Sequence, residues 1–225
     1  KLMLTILAAA IVGMFTLSAA QAAPIEYGVF QLKQISVVGS NHTVHFPNPA
    51  YSTITVRVGE YQLGIDFDSN GSFEQYGGYC IEDQPSSTSA NDYTFYYAGS
   101  MGDDYRRAAW IMGQGGYSVQ DKQVAIWEMM LGSDGLVNAN VTGDFSVDGT
   151  WANAQSLYED ALDVTNLNSF DYAGYFVAIS EGVENGSISP QDFIVYAPDQ
   201  VPVPAAVWLL GSGLLGLIGL RRRKR

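Results

Sequence analysis

Two periods divide this chain. From Tyr27 to Val38 and from Tyr51 to Val58 apolar and polar side chains alternate, most plainly in Thr53-Ile54-Thr55-Val56-Arg57-Val58, the two-residue period of half-buried strands. Pro47-Asn48-Pro49 stands between the two stretches. A hairpin is predicted next, with Tyr61 to Phe67 against Phe73 to Ile81 and a turn at Asp68-Ser69-Asn70-Gly71, because Asn-Gly tolerates the positive φ of a tight turn. Cys80 then falls near the end of a strand.

In the middle of the chain the period changes. Ser100-x-x-Asp103 and Ser118-x-x-Asp121 read as capping boxes, each with an acid at the positive end of a helix dipole. Met101, Tyr105, Ala108, Ala109 and Met112 repeat at three and four, and Gly113 to Gly116 stops that helix. The next helix is predicted from about Val119 to Leu131, with Gln123, Trp127 and Met130 on one face. Trp151, Ala154, Tyr158, Ala161 and Leu162 mark a third helix. Strands return at Tyr172 to Ile179 and Asp192 to Tyr196. The pattern predicts an α+β fold: one β-rich domain, an antiparallel sheet or barrel-like, with a helical insertion.

The two ends follow other rules. Lys1, the apolar stretch Leu2 to Leu17 and Ala20-Gln21-Ala22 have the order of a secretory leader with its small-x-small cleavage site. The mature chain is expected to begin near Ala23. Its only cysteine is far from that site, which excludes a lipid-modified first residue. Near the other end, Ala205 to Leu220 is an apolar run of about 24 Å as a helix, followed by Arg221-Arg222-Arg223-Lys224-Arg225. Such a cluster holds its end of a span on the cytoplasmic side.

The order Pro202-Val203-Pro204, then the Gly-rich apolar run, then the basic tail resembles the PEP-CTERM sorting signal, in a Val-Pro-x-Pro variant with Val203 in place of the name-giving Glu. The resemblance implies an exosortase that cleaves near the Pro-x-Pro element and passes the protein to the cell surface or extracellular matrix. Contact with the membrane would then be transient and through this segment alone. The expected organisation is a signal peptide at 1–22, an ectodomain at 23–197 and a sorting signal at 198–225. An ordinary C-terminal membrane anchor is the plainer alternative.

Between the ends, about 180 residues suit one domain with a real core. All 23 acidic side chains lie between Glu26 and Asp199, where only Lys33, Arg57, Arg106, Arg107 and Lys122 are basic. Nucleic acid and anionic membrane surfaces repel such a body.

Cys80 is the only cysteine, so an internal disulfide is excluded. Gln123 shares a helix face with Trp127 and Met130, and a buried amide needs partners. Tyr79-Cys80-Ile81-Glu82 and Gln123-Val124-Ala125-Ile126-Trp127 together resemble the thioester (TQXA) domain of bacterial surface adhesins. The resemblance implies an internal Cys80–Gln123 thioester that captures an amine, with Tyr79 and Trp127 shielding it from water. Lys122 departs from the Thr or apolar residue usual before that Gln. The alternative is an inert buried thiol, with Gln123 hydrogen-bonded to backbone.

His42 and His45 are the only histidines. Either, paired with Cys80, would make a hydrolase; three apart on a strand they point to opposite faces, which suits polar surface positions better. Asp66-x-Asp68-x-Asn70-Gly71 copies the first half of a calcium loop, but Gly77 stands at the twelfth position, where the bidentate Glu belongs. A plain turn is expected, with Asp66, Asp68 and Asn70 as at most a weak calcium site. The sequence therefore points to an exported, non-enzymatic attachment protein without a cofactor, whose partners are an exosortase and an amine-bearing surface or matrix molecule. Its rivals are a non-reactive structural matrix protein and a secreted cysteine hydrolase.

Overall fold

The alternation at the start of the chain runs further than its pattern suggests. In the computed structural model, which describes residues 23–45, 53–82, 88–131, 146–180 and 190–200, β1 is a 20-residue strand, Glu26–His45. β2, Ile54–Asp66, merges the two predicted strands on either side of Gly59 into one of 13 residues. The two pair antiparallel from Gln31↔Asp66 to Val44↔Ile54, with a bulge between Gln34 and Ser36. Gly39 faces Gly59 in this ladder, and a Cβ on either would collide with the opposite carbonyl, that of Val58 or Val38. The facing glycines let the backbones close up where the side-chain pattern reads a break. The expected leader at 1–22, Pro47-Asn48-Pro49 and the tail from Val201 onward lie outside the described residues.

β3, Glu74–Cys80, forms the predicted hairpin with β2, from Tyr61↔Gly78 to Ile65↔Glu74. In its turn the positive φ falls on Ser69 (52°) and Gly71 (83°), not on Asn70. Asp66 explains this. Its Oδ1 accepts from the Asn70 amide at 3.1 Å and its Oδ2 from the Gly71 amide at 2.8 Å, and these bonds fix the path of the loop.

β4, Asn91–Tyr97, has no counterpart among the predicted strands. It pairs with β1 on one side and with β6, Tyr175–Ser180, on the other. β7, Phe193–Tyr196, joins β6 to β3. The ladders run β1-β2-β3-β7-β6-β4 and return to β1, an all-antiparallel closed ring. A two-residue β5, Ser146–Val147, adds to the far end of β1. Tyr27, Phe30, Phe67, Phe95 and Phe176 cluster with ring centroids 4.9–6.3 Å apart, in the tilted and edge-on arrangements aromatic rings favour.

Between β4 and β6 the chain inserts α1, Asp103–Gly113, α2, Val119–Leu131, α3, Ala152–Ala161, and the short α4, Val164–Ser169. Ser118 caps α2 as predicted, accepting from the Asp121 amide at 3.0 Å. Ser100 does not cap α1. A 3-10 turn at Ala98–Ser100 joins β4 to the helix and leaves Gly102 as its first flanking residue, so the Ser100 hydroxyl instead accepts from the Ile25 amide and donates to the Tyr97 carbonyl. The single apolar face predicted for α2 is also replaced by something fuller. Every residue from Gln123 to Met129 is buried, because α2 lies between β2 and β3 on one side and α1 and α3 on the other. Among the described residues no helix is long and apolar enough to cross a membrane.

Candidate functional site

Cys80 and Gln123, 43 positions apart, meet in the interior with no exposed surface on either. Cys80 is the last residue of β3, opposite Phe193 of β7. Gln123 comes from the first turns of α2, which the Ser118 cap holds in place. Its Oε1 accepts from the Cys80 amide at 3.1 Å and its Nε2 donates to the Cys80 carbonyl at 2.8 Å. The side-chain amide thus clasps the main chain of the cysteine like one more rung of the sheet.

The thiol has its own partners. Trp127 Nε1 donates to Sγ at 3.3 Å, and Sγ donates to the Glu82 carbonyl at 2.8 Å. Burial pushes the thiol pKa well above its ordinary range, against the opposing pull of the Trp127 N–H. Burial thus favours the protonated form of a free Cys80 thiol and disfavours its nucleophilic form, the thiolate. Trp127 stands where the sequence expects a shield. Tyr79 is buried too, but successive strand residues face opposite ways, and its side chain lines a surface cleft on the other face of β3.

The surroundings of the thiol contain a polar ring that the sequence reading missed. Gln191 donates from Nε2 to the Glu82 carbonyl at 3.3 Å, and the Tyr93 hydroxyl donates to the Gln191 carbonyl at 3.0 Å. The Asp192 carboxylate accepts from the Ser180 amide at 2.6 Å and is hydrogen-bonded to the Glu82 side chain. Burial raises the Asp192 pKa, with the Ser180 amide pulling it back in part. A carboxyl pair therefore sits one residue from Cys80's sheet partner. The signals available were Glu82, two residues past the cysteine, and the polar pair Gln191-Asp192 directly before an apolar strand.

The remaining candidates lie elsewhere. Lys122 is half-buried and donates from Nζ to the Met112 carbonyl at 2.8 Å. His42 Nε2 is 2.8 Å from the Ser40 hydroxyl, and its ring packs edge-on against Trp151. His45 bonds Thr53 and Asp148. The Cys80 sulfur has Trp127 and Glu82 as partners and neither histidine, so the hydrolase pairing has no geometric basis. Both oxygens of Asp66 are engaged by turn amides, and Asn70 Oδ1 accepts from the Ser72 amide at 2.7 Å. Among the described residues no group of three or more potential ligands is arranged to hold a metal ion.

Pro198–Gln200, a 3-10 turn, ends the described chain and is tied to its start: Tyr27 Oη donates to Gln200 Oε1 at 3.2 Å. Pro202, Val203 and Pro204 lie outside the described residues, but they fall in the stretch that comparison with known families identifies. Residues 200–224 match the PEP-CTERM protein-sorting motif. No curated protein and no solved structure is detectably similar to the chain. By its C-terminal motif the chain is an exported protein, addressed by exosortase sorting to the cell surface or beyond.

Proposed function

We propose that the sorted protein attaches covalently to amines through a thioester between Cys80 and Gln123. In the forming step the Cys80 sulfur adds to the Gln123 side-chain carbonyl, the C–S bond replaces the C–N bond, and the amide nitrogen leaves as ammonia with the thiol proton. In the capturing step an amine replaces the sulfur, leaving a substituted Gln123 amide and a free Cys80 thiol. Held geometry is what makes such an exchange accessible to a weak nucleophile.

The observation that carries this reading is the direct engagement of the Gln123 amide with Cys80, in a site without exposed surface and with Trp127 on the sulfur. Intact-mass measurement tests it. Freshly purified protein should weigh one ammonia less than its processed sequence, and methylamine should add at Gln123 and free the thiol. A full sequence mass, with no methylamine incorporated, refutes it.

One feature favours a second reading, a structural matrix protein with no reactive bond. Both ends of the Gln123 amide are already satisfied by the Cys80 main chain, which is what an inert buried glutamine requires. Loss of ammonia would remove the donor to the Cys80 carbonyl. The same mass measurement separates the two.

A further inference from the structure

On the face of β3 opposite Cys80 the surface opens into a cleft of about 220 Å³, lined in part by Glu60, Gly77, Tyr79, Lys122, Tyr175 and Tyr196. Its floor is built by register. Tyr175 of β6 pairs with Tyr196 of β7, and Tyr196 pairs with Gly77 of β3, so two tyrosines and a glycine stand in one row across three strands. The Tyr175 and Tyr196 rings lie 4.6 Å apart with a 36° tilt, and Tyr196 keeps 40% of its surface exposed. A Cβ at Gly77 would collide with the Glu60 carboxylate. The missing side chain is what lets that carboxylate lie over bare backbone beside the rings.

Glu60 and Lys122 feel each other's charge without closing an ion pair. Among the described residues Glu60 accepts no hydrogen bond and closes no ion pair, and it is not among the residues with further partners. Burial raises the Glu60 pKa and the nearby Lys122 opposes that in part, while the Lys122 ammonium donates to the Met112 carbonyl and has two donors to spare. An anionic ligand meets the carboxylate, a cationic one meets the ammonium, and a neutral ligand with many hydroxyls satisfies both. The exposed Tyr196 ring beside such polar groups suits a molecule with an apolar C–H face and a hydroxyl rim. The volume is below that of a drug-sized pocket, so one ring fits and a longer chain continues into solvent.

From this we infer that the cleft is a binding site for a neutral pyranose, taken as one residue of a glycan: the sugar stacks on Tyr196, which Tyr175 backs, gives a hydroxyl hydrogen to Glu60 and accepts from Lys122. It is a site distinct from the Cys80–Gln123 pair and does not depend on a thioester.

The purified exported protein is titrated with methyl glycosides of glucose, galactose and mannose and with their short oligosaccharides, and followed by saturation-transfer NMR. At least one series should saturate with an affinity on the order of millimolar for a single ring, its ring protons receiving the transfer. Glu60→Gln and Tyr196→Ala should each weaken it about tenfold, as loss of one charge-assisted bond or one stacking face does. Tyr196 is exposed and Glu60 half-buried, and unchanged melting of the variants separates lost binding from lost fold. Gly77→Ala should also weaken it, by displacing the carboxylate. No saturable binding by any of the sugars, binding unaffected by both Glu60→Gln and Tyr196→Ala, or saturation by methylammonium or acetate in their place overturns the assignment.

Discussion

Gln123 holds Cys80 by the main chain and leaves its sulfur to Trp127, two attachments from adjacent turns of one helix. The consequence is a way to weigh the bond against the hydrogen bonds. Cys80→Ser keeps one group that accepts from Trp127 and donates to the Glu82 carbonyl, and it leaves the Gln123 clasp intact. If the residues are cross-linked, this change should still cost about 2–4 kcal/mol, by analogy with a disulfide. If the thiol is free, the cost should stay below about 1 kcal/mol. Gln123→Ala should cost about 2–4 kcal/mol if the thiol is free, since it then strands two buried main-chain groups, and a similar amount if the residues are cross-linked, since it then removes the bond. Urea unfolding of the three proteins gives the comparison.

Asp192 makes the fold sensitive to pH. Burial raises its folded pKa, so the folded state holds the proton more tightly than the unfolded chain does. The sign follows: this contribution is complete below the ordinary carboxylate range and is lost as the pH rises through the raised folded value. Asp192→Asn keeps an oxygen for the Ser180 amide and removes the ionisation. The variant should melt higher than the parent at a pH above the raised Asp192 value, with a flatter profile from the ordinary carboxylate range upward. Profiles of equal slope would place the proton elsewhere.

Asp66→Ala removes the acceptor for two turn amides and should cost about 1–3 kcal/mol. Asp66→Asn retains one acceptor and should fall between. Calcium should leave the melting temperature of the parent nearly unchanged, because the carboxylate is already engaged by the turn. A calcium-dependent rise that Asp66→Ala abolishes would show that the loop reorganises around a cation.

Truncation after Gln200 should yield a soluble exported body that is no longer sorted, because it removes nearly all of the matched motif and keeps the Tyr27–Gln200 contact. Ending the chain at Asp199 instead should lower the melting temperature slightly, by loss of the Tyr27–Gln200 bond and of the Gln200 amide's bond to the Ala197 carbonyl. Fractionation of cells expressing each form reads the first outcome. Surface display of the truncated chain would mean that the address lies elsewhere.

The features readable in advance are those whose signals are local. The bounds of α2 follow from the Ser118 cap and the apolar run behind it, and the β2–β3 hairpin follows from its turn residues. The uninterrupted β1–β2 ladder depends on Gly39 meeting Gly59 across strands, which no window along the chain contains. β4 is bounded by weak turn signals, and only Tyr93 and Phe95 face the core fully. The pairing of Cys80 with Gln123 came from a resemblance, whereas the polar ring around them did not: Glu82 and Asp192 read singly as two more surface acids in a strongly acidic chain. The burial of Asp192 and half-burial of Glu82 appear only once β3 and β7 lie side by side.

The position of β7 in the ring bears on how the folded body withstands pull from its C-terminal side. The described chain leaves the barrel through β7 and the turn at Pro198–Gln200, and β7 is hydrogen-bonded along both sides, to β3 and to β6. Tension entering from the C-terminal side runs along the strand, so it loads those two rows in shear and must strain many bonds together, where an edge strand could be peeled one bond at a time. One of the rows ends at Cys80. Force applied through the tail is therefore delivered first to the strand whose last residue Gln123 holds.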